Sequence, residues 1–111
     1  MDIELSKEAK QLLKTLYAEY QNKRDDGYPK SQAMNFGSSE QIHKTLMSDW
    51  LFQDVDDTCY ELGKAGLLSC KGADNIRGYF VQLNDNGVAY MDNKLKRTLK
   101  EAGDIISNFR P

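Results

Sequence analysis

Residues 51–91 constrain the fold more than any other stretch, because they carry in order an amphipathic helix, a glycine stop, two strand-like segments and the start of another helix. With each residue turning the chain by about 100°, Phe52, Val55, Cys59 and Leu62 fall within one narrow arc, which predicts a helix over Leu51 to Ala65 with that arc buried. The opposite arc carries Asp54, Asp57 and Glu61, with Asp56 nearer the boundary and Lys64 at the end, so the solvent face is acidic. Gly66 is placed to stop the helix. Leu67 to Lys71 and Tyr79 to Leu83 then read as strands around a loop whose Gly72, Asp74, Asn75 and Gly78 suit tight or left-handed turns. Tyr79, Val81 and Leu83 alternate toward one side, as a half-buried strand requires. Asn84 or Asp85 supplies a side-chain oxygen to cap a helix that continues through Val88, Met91 and Leu95.

These residues resemble the second half of a bacterial winged helix-turn-helix. In that superfamily a recognition helix ends in Gly-Leu-hydrophobic, as Gly66-Leu67-Leu68 does here, and the last wing strand ends in Leu-Thr-x-x-Gly. Leu83-Asn84-Asp85-Asn86-Gly87 is similar, with Asn84 in the place of threonine; both side chains cap helices. Length and element order are similar to the small YjcQ-like winged-helix proteins. The resemblance covers roughly Ser6 to Leu95. It implies an α+β, mainly α fold with a three-helix core, a β-hairpin wing and an extra C-terminal helix, and it implies a DNA-binding transcription regulator.

The rest of the chain is consistent with one domain over residues 1–111, of which 84–111 form a C-terminal helical extension. At 111 residues with 40% hydrophobic and 29% charged residues, it can bury a single core without disulfides or metals. No apolar run approaches the ~18 residues needed to span a membrane, and Met1-Asp2-Ile3-Glu4 lacks the basic start and apolar core of a signal peptide, so a cytoplasmic protein is expected. Cys59 and Cys70 have no metal spacing and read as small core residues.

The first helix should begin after Leu5 with Ser6 as N-cap and Glu8 in the positive first turn, and Ala9, Leu12, Leu13, Leu16, Tyr17 and Tyr20 recur at helical spacing. Gly27 and Pro29 end it. Met34 and Phe36 then alternate as a short strand would. Ser38 is the better cap for the next helix, from about Ser39 to Ser48, because Gln41 stands three residues later. Ile42 and Leu46 face its core side, and Trp50 is expected to wedge between the two helices.

No catalytic constellation is legible, so an enzyme is not expected, nor is any cofactor or metal. His43, the single histidine, has no Cys, Asp or Ser at a recognisable spacing, and Gly63-Lys64-Ala65-Gly66 lies at a helix end rather than after a strand. Asp56 and Asp57, as helix neighbours, point about 100° apart and read as a solvated face rather than an acid/base pair.

Charge opposes the simplest DNA reading. The chain is net −2, and the recognition-like helix sets Asp54, Asp56, Asp57 and Glu61 against Lys64, a local −3. DNA affinity comes largely from Lys and Arg on phosphates. The candidates for DNA contact are therefore Lys71 and Arg77 beside the wing loop and Lys94, Lys96, Arg97 and Lys100 on the last helix. The alternative is that Asp54, Asp57 and Glu61 present an acidic face to a basic protein partner. Val88, Met91, Leu95, Leu99, Ala102, Ile106 and Phe109 form a narrow apolar seam, and Leu99, Ile106 and Phe109 are candidates for homodimer contacts.

Overall fold

The computed structural model describes residues 4–72 and 78–94. α1 spans Lys7–Asp25, α2 Lys30–Ala33, β1 Asn35–Ser38, α3 Ser39–Thr45, α4 Phe52–Lys64, β2 Leu68–Gly72 and β3 Tyr79–Leu83. A fifth helix, α5, occupies residues 85–94. The class is α+β and mainly helical, with one antiparallel sheet in the order β1-β3-β2.

Local chemistry sets the helix ends. Ser6 Oγ accepts from Ala9 N–H and Ser38 Oγ from Gln41 N–H, so both predicted N-caps satisfy a backbone donor that the helix leaves unpaired. α4 closes on Gly66 at φ +81°, where Leu67 N–H donates to Leu62 C=O and Gly66 N–H to Gly63 C=O. That bond pair needs a left-handed residue, which glycine adopts without cost. α3 is shorter than its sequence suggests: Met47 N–H reaches back to Ile42 C=O, and Leu46 is already partly uncoiled at φ −117°. Between Gly27 and β1 the expected single strand is preceded by the four-residue α2, whose Ala33 is buried against the core.

β3 is the central strand. It pairs with β2 in the register Leu68↔Leu83 through Gly72↔Tyr79, and with β1 at Asn35↔Gln82 and Ser38↔Phe80. Period-two alternation sends Leu68, Val81 and Leu83 inward, while Ser69, Phe80 and Gln82 face out, so the helices cover one face of the sheet. Leu12, Leu13 and Leu16 of α1, Ile42 of α3, Val55, Cys59 and Leu62 of α4, and Val88 and Met91 of α5 complete the core. Phe52, expected among them, is half-buried and instead sets its ring against His43, with centroids 6.1 Å apart and planes at 75°. Asn84 ties α5 to this frame: its Oδ1 accepts from Gly87 N–H at 2.8 Å and its Nδ2 donates to Gly66 C=O at 2.9 Å. Among the described residues no helix is long and apolar enough to cross a membrane.

Candidate functional site

Two surfaces gather the chemistry-bearing side chains. The first is the outer face of α4 with the adjoining hairpin. Its four acids divide into two kinds. Asp54 and Asp57 are exposed, Asp57 accepting from Gln53 Nε2 one helical turn earlier. Asp56 and Glu61 are each hydrogen-bonded to a serine of another segment. Ser39, fully buried at the start of α3, donates from Oγ to Asp56 Oδ1 at 2.9 Å and accepts from Tyr79 N–H at 3.0 Å, so one hydroxyl joins α3, α4 and the loop end of the hairpin. Gly78 lies on this junction at φ +83°, where a Cβ would fall 1.9 Å from Ser39 Oγ. Glu61 reaches the N-cap of α1, accepting from Ser6 N–H at 3.0 Å and Ser6 Oγ at 2.7 Å. Its charge therefore stands at the positive end of the α1 dipole, equivalent to about half an elementary charge.

The backbone and hydroxyl bonds from Ser6 favour the ionised form and hold the Glu61 carboxyl below the usual glutamate range. A group whose folded pKa is depressed contributes stability above its unfolded value, near about 4.3, and loses it as pH falls through the folded value. Glu61→Gln should thus narrow the drop in melting temperature between about pH 6 and pH 3 relative to the parent chain. Superimposable pH profiles for the two proteins would show that Glu61 does not hold α1.

Asp54, Asp57 and Lys64 are the exposed charges of α4, with Asp56 and Glu61 partly exposed beside them. Lys64 Nζ lies 4.9 Å above the exposed Tyr60 ring, which stacks on Tyr79 at 6.2 Å and 19°. Across the hairpin Lys71 is exposed opposite the exposed Phe80. Leu51, at the N-cap of α4, is 72% exposed. His43 Nε2 lies 2.7 Å from Trp50 C=O and braces the turn between α3 and α4, with Trp50 half-buried beside it. The structure gives His43 a packing role.

The second surface is a groove of about 550 Å³ between the N-terminal half of α1 and α5. Leu5, Leu13, Tyr17 and Met91 form its floor, and Lys7, Lys10, Lys14 and Lys94 stand along it. The Tyr17 hydroxyl donates to Asp92 and joins the two helices; burial first, and that carboxylate second, push its pKa up to about 12. Lys94 Nζ lies 5.9 Å from the Tyr90 ring centroid. Sequence reasoning overlooks Lys7, Lys10 and Lys14. Their spacing of three and four was the available signal, but nothing local shows that α5 lies alongside them.

Of the DNA candidates on two separate elements, Lys71 lies on the hairpin and Lys94 on the groove. Arg77, Lys96, Arg97, Lys100, Leu99, Ile106 and Phe109 lie outside the described residues. Among the described residues no group of three or more His, Cys, Asp or Glu is placed to hold a metal ion. No family model, curated protein or solved structure matches the chain.

Proposed function

We propose that this chain is a cytoplasmic, non-enzymatic winged helix-turn-helix protein that binds DNA in the manner of a transcription regulator. In this reading α1, α3 and α4 are the three-helix core, α3 and α4 the helix-turn-helix, and the β2–β3 hairpin the wing. The element order and the β1-β3-β2 sheet support it. The observation that carries it is that order, with α3 and α4 joined by a short turn and followed by the hairpin; the bonds of Asp56 and Glu61 to Ser39 and Ser6 hold these carboxylates in place but leave their charge, so α4 remains acidic. Contact then runs through the wing, with Lys71 and Arg77, rather than through deep insertion of α4.

Binding of a mixed-sequence duplex at two salt concentrations tests this, because real phosphate contacts make affinity fall steeply with salt. Lys71→Ala and Arg77→Ala should each reduce the salt slope by about one, and Asp54→Asn with Asp57→Asn should strengthen binding. No measurable affinity at low salt removes the reading. A second reading is favoured by the exposure of Leu51 and Tyr60, 72% and 50%, on the helix that carries Asp54 and Asp57. Apolar anchors beside acids suit a basic protein partner, and neutralising the two aspartates would then abolish partner binding.

A further inference from the structure

We propose that the groove between α1 and α5 is a docking site for an acidic amphipathic helix of a partner protein. The surface is separate from the α4 and hairpin face and does not rest on the DNA reading.

The argument begins with α1 as a sequence. Lys7, Lys10, Lys14, Tyr17 and Gln21 recur at steps of three and four and therefore share one edge of the helix, and all five line the groove. The three lysines cover about 10 Å along the axis at 1.5 Å per residue. Lys94 faces them from α5; no Asp or Glu is among the lining residues, and Asp92, which adjoins the groove on α5, is engaged by the Tyr17 hydroxyl. In a chain of net −2, four lysines around one cleft without a lining acid form a concentrated positive strip. Among the described residues Lys7, Lys10 and Lys14 have no ion-pair partner. Beneath them the floor is apolar, and lysine stems extend such a floor while keeping their charges at the rim.

Charge identifies the occupant. A second copy laid face to face on this groove would set lysines against lysines. Residues 95–111 of the same chain are a poor cover, since Lys96, Arg97, Lys100 and Arg110 against Glu101 and Asp104 give +2. A single carboxylate, as on a fatty acid, cannot meet a row of lysines about 10 Å long. A helix with acids at i, i+3 or i+4 and i+7 meets that row along its length, and the apolar side chains between them enter the groove, which is the helix-in-groove mode.

The test uses the full chain, labelled for NMR, and a synthetic peptide of about 16 residues with leucines at helical steps flanked by glutamates. A companion peptide carries lysine at every glutamate. The acidic peptide should shift the signals of Leu13 and Met91 while leaving those of Asp57 and Phe80 unmoved, and the basic peptide should not. Lys10→Glu with Lys14→Glu, both exposed, should weaken acidic-peptide binding at least about tenfold and transfer preference to the basic peptide. The proposal is overturned if the acidic peptide causes no shift at about 1 mM, the weak end of specific recognition, or if the double variant binds both peptides as the parent does. A mixed-sequence duplex that moves the same groove signals as strongly as the peptide would assign the lysines to nucleic acid and overturn it equally.

Discussion

Leu62→Ala is expected to cost about 2 to 5 kcal/mol of folding stability, the range for buried leucines whose surroundings collapse only partly around the cavity. Leu62 has no exposed surface, and α4, on which it sits, packs against α1, α3 and β2. A void at a fully buried position of a helix packed on this many elements is one that the surroundings close only in part. The same residue lends its carbonyl to the helix stop at Leu67, an arrangement that the substitution leaves intact, so the loss reports packing alone. Urea melts at fixed pH measure it. A loss below about half a kcal/mol, typical of surface substitutions, would show that this face of α4 is not the buried one.

The residues involved also show what a linear reading can reach. The apolar arc of α4, the Ser6 and Ser38 caps, the Asn84 cap and the inward alternation of Val81 and Leu83 are all local: each depends on side chains within about one or two turns of chain, which the sequence displays directly. The destinations of Glu61 and Asp56 are not. Glu61 shares the solvent arc with Asp54 and Asp57, and Asp56 differs only in lying nearer the boundary of that arc. Their partners lie 55 and 17 residues away, at Ser6 and Ser39, and only the packing of α4 on α1 and α3 brings them within reach. The groove follows the same logic, since half of it is a helix whose direction is set by the Asn84 turn. α2 escaped because a four-residue helix is too short to show a period.

A backbone effect of comparable size is expected at Gly87. Glycine in a helix ordinarily favours replacement, since alanine has a helix propensity better by about 1 kcal/mol. Here the sign should reverse. Gly87 sits in the first turn of α5 against the turn that follows α4, and a Cβ would stand 2.2 Å from Leu67 C=O and 2.9 Å from a Leu83 methyl. The first of those neighbours is backbone, fixed by the α4 stop and the start of β2, so α5 itself would have to move. That displacement strains both bonds of Asn84 and withdraws Val88 and Met91 from the core. Gly87→Ala should therefore destabilise by about 3 kcal/mol, the upper end of ordinary overpacking costs. Thermal and urea unfolding provide the measurement; a variant as stable as the parent, or more so, would mean that α5 does not rest on this turn.

The two cysteines mark different depths of the same junction. Cys59 is fully buried in α4, and Cys70 is half-buried on β2 with its Sγ 3.4 Å from Cys59 C=O. Burial raises both thiol pKa values, which suppresses the reactive thiolate while the fold is closed. Reaction of Cys59 with an alkylating reagent then waits for α4 to leave the core, whereas the half-buried Cys70 needs at most a local shift of β2 against α4. The chain thereby carries two native clocks, one for fluctuation of the hairpin and one for loss of the whole helical frame.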